Sequence, residues 1–318
     1  MLGLASWRSK KSSAEKPAQP PPLPKDAAEA DGDVVDVGAA GAVDVAELPR
    51  RLRSVFADPS YRPPTPPAVA MELMALTRKG EVDVKAAAKL FGKDPMLMAK
   101  VLKVARSPLY GAAHIPTIND AIVRLGTRRL NHVVLEAALD MRVFRSEVFG
   151  PWMERARRHS VAVGHIASHL AWVGCVDADQ ALIAGLMHDV GIAAALSAVA
   201  DRRDRFKDID DEAFASALDD IHAEVGGMVA EVWQLADDIQ RVIKNHHDVM
   251  KKRDDSDSAM LAVIVLADAF ANDAGYSAGQ ADLRHNSDIA WAKRTLDVDD
   301  GQMAQLAKDL APVIYRLS

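Results

Sequence analysis

With 318 residues, 49% of them apolar, the chain can bury one large core or two ordinary ones. A net charge of −6 excludes the field that would draw nucleic acid, and a single cysteine, Cys175, excludes a disulfide framework and fits a reducing cytoplasm. Aromatics make up only 5% while Ala, Val and Leu abound, which favours close-packed helices over sheets, and no apolar run reaches the roughly 18 residues of a spanning helix.

Residues 1–45 read as a disordered Ala/Pro-rich leader: Pro17, Pro20, Pro21, Pro22 and Pro24 favour polyproline conformations, and Asp, Ala and Gly follow. Folding begins near Val45–Phe56. A loop with Pro63-Pro64-Thr65-Pro66-Pro67 launches a helix over Ala68–Thr77, ended by Gly80. Val82–Leu90 is a short amphipathic helix. Asp94 caps the next one with Pro95 at its first position, and Leu97, Val101, Leu102 and Val104 lie mostly on one face. Asn119 or Thr117 caps Ala121–Leu125, and Gly126-Thr127 separates it from Arg128–Val143. Residues 46–148 are thus a subdomain of short helices.

Gly150-Pro151 opens a second unit, 149–290. It holds a long helix over Trp152–Trp172, then Ala178–Met187, Ile192–Val199 after a break at Gly191, and a solvated turn at 201–207. Phe214–Trp233 follows, interrupted near Gly226-Gly227, then Ile239–Asn245 capped by Asp237 or Asp238, and Ala259–Ala271. A C-terminal extension, 291–318, carries an amphipathic helix over Gln302–Leu317. No strand pattern and no fixed-length repeat is present, so the fold class is all-α. Cys175 reads as a small buried hydrophobe. The clusters Arg155/Arg157/Arg158 and Arg124/Arg128/Arg129 read as solvated faces.

Several helices carry polar residues that their pattern does not explain. His188 and Asp189 follow the apolar run Ala181–Met187. His159, His222, His246 and His247 stand in or at the ends of other helices, and Asp268 interrupts Leu261–Phe270. A carboxylate inside an apolar helix is costly unless paired or metal-bound. Together these residues form a nitrogen-and-oxygen ligand set from five helices, as in metal sites built inside bundles. A buried His–Asp pair that satisfies itself is the other reading. His165 and His169 share a face turned away from His159 and read as packing or surface residues. Nucleophile elbows, Walker loops and dinucleotide fingerprints are absent from the sequence.

In this order the residues His159, His188-Asp189, His222, His246-His247 and Asp268 resemble the ligand string of the HD superfamily of metal-dependent phosphohydrolases, its HD-GYP branch and the related HDOD (HD-related output domain) proteins. The preceding region resembles HDOD specifically: a proline-led first helix, Asp94-Pro95 through Arg106-Ser107, and Ala121-Ile122-Val123-Arg124-Leu125-Gly126. The resemblance spans about residues 50–290. Arg106 stands where the family usually has Asn. Ile192 stands where HD-GYP enzymes place Lys, and Asp248-Val-Met-Lys-Lys-Arg-Asp-Asp replaces their Gly-Tyr-Pro loop.

The resemblance implies an HD-like helical bundle with an N-terminal helical subdomain, in a cytoplasmic bacterial regulatory protein that acts through other signalling proteins. It implies a divalent metal, with Fe, Mn, Zn and Mg all compatible. His159, His188, Asp189 and Asp268 would hold one cation, and Asp189 would bridge to a second held by His222 and His246, with His247 in or beside that site. The alternative is a phosphohydrolase or phosphodiesterase. There His188 and Asp189 would be catalytic, and a metal-activated hydroxide would attack a phosphodiester or nucleotide ligand. Whether the loop 248–258 leaves the site open separates the two. Neither nucleic acid nor a transmembrane segment is expected, and the oligomeric state is not encoded in any motif.

Overall fold

Proline and side-chain caps set the helix starts. In the computed structural model, residues 47–65, 68–77, 83–108, 114–202, 206, 211–249, 258–278 and 286–317 are described. The expected leader, Gly80, Val82 and residues 250–257 lie outside them. The described residues form thirteen helices and no strand.

Helix α1, Leu48–Phe56, turns Leu48, Leu52, Val55 and Phe56 inward. Helices α2 (Ala68–Thr77), α3 (Val84–Phe91) and α4 (Pro95–Ala105) follow. The Asp83 carboxylate accepts from Lys85 N and Ala86 N at the start of α3. Asp94 accepts from Leu97 N at 2.9 Å, with Pro95 at N1 where no amide is missed. Of the stripe expected on α4, Leu97, Val101 and Ala105 are buried, while Leu102 and Val104 flank them half-buried. A spacing of four keeps one inward line, and Leu102 sits about 100° off it.

Helix α5, Ile118–Arg142, is 25 residues long and starts on a capping box between Thr117 and Asp120. The two helices expected on either side of Gly126 run together across a kink at that residue, whose φ of 67° only glycine adopts without strain. The kinked rod serves two cores. Ile122, Leu130, Val133 and Val134 close the smaller one with Leu73, Phe91, Leu97 and Val101. Leu135 and Leu139 enter the larger one.

The larger core is built on α6 (Gly150–Leu170), α7 (Ala178–Met187), α8 (Val190–Ala200), α9 (Asp211–Val232), α10 (Asp237–Asn245) and α11 (Ser258–Asp273). Helices α12 (Asn286–Thr295) and α13 (Asp300–Leu317) pack around it. Helix α1 belongs to this core in space, lying against α8 and α9. The loop after it is tied down by Trp233 Nε1–H, which donates to Pro64 O at 2.8 Å. Along the junction of α5 with α6 and α7 runs a polar seam: His132 faces Asp179 at 3.0 Å, His165 faces Glu136 at 3.7 Å, and Arg157 lies between Glu154 and Asp140.

Several local expectations change. The break lies at His188-Asp189 rather than Gly191, which is inside α8. Helix α9 runs straight through Gly226-Gly227, because these glycines serve close packing rather than a turn. Ala236, not an aspartate, precedes α10, and Asp237 and Asp238 occupy its first turn. Helix α12 was not expected from the sequence. Cys175 is exposed, not buried: it takes the left-handed position (φ 50°) that closes α6, with Val176 N–H donating to Ala171 O. In the stretch expected to be a solvated turn, Phe206 is buried beneath Arg51. The span Ala178–Ala200 is long and apolar enough by composition to cross a membrane, but 89% of its most apolar window is buried inside the fold.

Candidate metal centre

Two glycine contacts bring the polar residues together. Helix α6 crosses α7 where Gly164 meets Gly185, and a Cβ on Gly185 would lie 2.7 Å from Gly164 Cα. That crossing sets His159 beside His188. Helix α8 meets α9 where Gly191 presses on the backbone of His222 and Gly226, and a Cβ on Gly191 would lie 1.8 Å from His222 O. That contact sets Asp189 beside His222. Helices cannot approach this closely over larger residues, so four glycines fix the centre.

At the centre stands Asp189, 5% exposed. Its two oxygens divide the histidines between them. Oδ2 lies 3.3 Å from Nε2 of both His159 and His188. Oδ1 lies 3.3 Å from His222 Nε2 and 3.2 Å from His246 Nε2. His247, on the exposed edge, brings its Nε2 to 3.0 Å from that of His222. Asp268, from α11, reaches His159 Nε2 at 3.3 Å. All seven residues singled out in the sequence are therefore neighbours, while His165 packs against Glu136 and His169 is exposed.

The far side of each buried ring is already used. Nδ1–H of His159 donates to Tyr276 O at 2.6 Å, and that of His188 to Gly185 O at 2.8 Å. His222 donates to Leu218 O at 3.1 Å, and His246 to Ile243 O at 2.8 Å. A neutral imidazole has one N–H, so this tautomer leaves every Nε2 as a bare lone pair. Yet these atoms face one another at 3.2 Å (His159 and His188) and 3.1 Å (His222 and His246). Lone pairs at that range repel unless a cation lies among them. Two sets have ligand atoms all within 4.8 Å of one another: His159, His188 and Asp189, and Asp189, His222, His246 and His247. Asp268 stands at the edge of the first.

Protons alone could also balance this charge. Burial would lower the pKa of His159, but the carboxylates of Asp189 and Asp268 outweigh it and push it up to about 10. His222 is raised in the same way, against its own burial, chiefly by Asp189. Burial would raise Asp189, yet the histidines around it hold it well below the usual carboxylate range. His246 is lowered by burial, with His188 and His222 adding to that effect and Asp189 opposing it. The centre therefore attracts positive charge, as protons or as metal.

Two supports escaped the sequence reading. Asn272, one turn after Asp268, donates its Nδ2–H to Asp268 Oδ1 at 2.6 Å and to Asp268 O at 2.8 Å, which fixes that carboxylate. The i, i+4 spacing on an apolar helix was the available signal. Asp219 lies half-buried one turn before His222, and burial pushes it up to about 6 although His222 pulls it down.

The arrangement has relatives. A family model described as the HDOD domain matches residues 64–249. An HDOD domain protein of unknown function from Geobacter sulfurreducens superposes with a TM-score of 0.63 at 23% identity, covering 86% of this chain and 97% of that one. A Shewanella amazonensis protein whose name proposes a metal-dependent phosphohydrolase superposes with a TM-score of 0.64 at 21% identity, covering 86% and 99%. At these identities the likeness is one of fold. An uncharacterised protein of Treponema pallidum is 25% identical over 215 residues, which is 63% of this chain but 40% of that longer relative. With more than half of its length matched by the family model, the chain belongs to the HDOD family.

Proposed function

We propose that this protein is a signal-transduction module of the HDOD type, built around a divalent metal centre and acting by contact with other signalling proteins. One observation carries the metal: buried imidazoles with their Nδ1–H groups committed to backbone carbonyls turn bare Nε2 lone pairs toward one another and toward Asp189. Neutral imidazole and carboxylate suit a divalent transition metal, and the backbone carbonyls act as the outer partners that orient metal-ligating histidines. In this reading His159, His188 and Asp189 hold one cation, with Asp268 completing the set. His222, His246 and His247 hold another, with Asp189 shared.

The proposed layout is a leader (1–45), a helical subdomain (46–148) whose first helix packs into the core of the metal bundle (149–290), and an extension (291–318) that begins within α12. The single cysteine supports a cytoplasmic location. Signal transduction is also in the name of a structural neighbour from Marinobacter aquaeolei, 16% identical with a TM-score of 0.59.

Hydrolysis of a phosphodiester is the second reading, favoured by the division of the Asp189 oxygens between two histidine sets. One carboxylate shared by two cation positions is what two-metal hydrolysis uses. A bound cation pair would supply a water nucleophile at neutral pH and balance charge on the phosphorus. Asp189 would set the spacing of the pair, and Asn272 would hold Asp268 in place.

Elemental analysis of the purified full-length protein tests the centre. Stoichiometric metal is expected, together with a lower melting temperature in chelator, because metal that binds only the folded state stabilises it. Asp189→Asn and Asp268→Ala should each lower bound metal sharply, and His165→Ala should not. Metal-free protein whose melting ignores both chelator and added cations would leave protonated His159 and His222 as the whole explanation. Turnover of generic and cyclic-dinucleotide phosphodiesters by the metal-loaded protein decides between the two readings.

A further inference from the structure

Of the four buried histidines that give Nδ1–H to a backbone carbonyl, three stay local. His188, His222 and His246 each reach a carbonyl three or four residues back in the chain. His159 instead reaches Tyr276 O, 117 residues further along. Its other nitrogen is met from the same region, with Nε2 3.3 Å from Asp268 of α11. One helix and the turn that ends it therefore hold both edges of the His159 ring.

That turn has a fixed shape. Gly275 takes a left-handed φ of 91° just past α11. Tyr276 N–H donates to Ala271 O at 2.9 Å, and Gly275 N–H to Asn272 O at 3.0 Å, the two bonds that close a helix on a left-handed residue. They place Tyr276, whose carbonyl then meets His159 at 2.6 Å. Helix α6 grips the same residue twice: Arg158, next to His159, lies over the Tyr276 ring, 5.4 Å from its centroid. Arg158 is exposed and Tyr276 is buried, so the corner links the surface to the centre.

We propose that the corner 274–276 controls the affinity of the His159-side cation position and leaves the His222 side alone; this rests on the metal reading above. A metal-bound imidazole keeps its orientation through the partner of its far N–H. On the His222 side those partners belong to the ligand helices themselves and come with their folding. On the His159 side the partner arrives through a helix-ending turn, the kind of element that opens without global unfolding. Opening it loosens one cation, and by linkage that cation holds it closed. His188, on the same side, is supported locally, so the position weakens and is not abolished.

Calorimetric titration of metal-stripped full-length protein with manganese(II), and separately with zinc(II), tests this. Wild type should bind two cations. Valine, whose branched side chain resists positive φ, should force the corner open in Gly275→Val and weaken one cation about ten- to a hundredfold, the other staying unchanged. Gly126→Val is the matched control: φ there is 67°, and at both glycines an added Cβ meets nothing within 4 Å. It should leave both affinities as they are. Arg158→Gln should weaken the same cation as Gly275→Val, by less. In wild type, metal should slow hydrogen exchange at the Gly275 and Tyr276 amides about tenfold or more, and slow it less at Val143 and Phe144, which end the ligand-free helix α5. This readout needs no variant to fold. Unchanged affinities in Gly275→Val, equal weakening of both cations, or equal slowing at the two helix ends overturns the control by the corner while the metal centre stands. Wild type that binds neither metal overturns both.

Discussion

Replacing Gly191 by alanine tests how the centre is assembled. The added Cβ would lie 1.8 Å from His222 O, 2.6 Å from Gly226 N and 2.8 Å from His222 C. Real Cβ contacts essentially never fall below 3.0 Å, so α8 and α9 must part by about 1.2 Å, and all three obstacles are backbone. Overpacking in a well-filled core costs about 1–3 kcal/mol when side chains can give way. Here none can, so about 3 kcal/mol or more is expected. Asp189 is two residues from the substitution and His222 is the group struck, so the same shift disturbs the 3.3 Å approach between them. A site that needs its groups within about 0.5 Å should then lose metal affinity by two orders of magnitude or more. Gly226→Ala is the comparison. Its nearest obstacle is Ile243 Cγ2 at 2.8 Å, a side-chain methyl that can rotate, and about 1 kcal/mol is expected. Urea unfolding with metal titration of both variants reads this out. A Gly191→Ala loss below about 1 kcal/mol, or one smaller than that of Gly226→Ala, refutes the close-approach argument.

Other outcomes follow from burial and charge. Leu97→Ala should cost about 2–5 kcal/mol because that side chain is wholly enclosed, and Leu102→Ala about 1–2 kcal/mol because it only flanks the core; chemical denaturation giving the reverse order would contradict the inward line of α4. Asp219 has a folded pKa of about 6, above its ordinary 3.8, so its charge weakens the fold once the pH rises through about 6. In metal-free protein Asp219→Asn should therefore gain about 1–2 kcal/mol at pH 7, with the gain gone near pH 4; a pH-independent difference would show that desolvation of the carboxylate is not its cause. Thr117→Ala, which removes the capping box of α5, should cost about 1 kcal/mol, measured as a shift in the unfolding midpoint.

The sequence by itself determined the helical class, most helix starts and the identity of the central residues. Asp94-Pro95, Thr117 and Gly150-Pro151 act on backbone groups within three residues of themselves, so their effect is legible within a few positions. Asp268 was legible for a related reason: a carboxylate in an otherwise apolar helix needs a partner wherever that partner lies. What only the tertiary structure decided is which partners meet and how closely. Gly191 read as a break and Gly226-Gly227 as an interruption, because a glycine that allows a backbone to approach looks the same in sequence as one that ends a helix. Arg155 read as one of three solvated arginines, yet its Nε and Nη2 are shielded and without an acceptor, because nothing local distinguishes a guanidinium that meets water from one that packs inward. Helix α1 precedes the smaller core in sequence yet packs in the larger one, since its apolar face is satisfied by α8 and α9, more than a hundred residues away. Local sequence sets which groups need partners; the close crossings at Gly164 with Gly185 and Gly191 with Gly226 decide which partners they find.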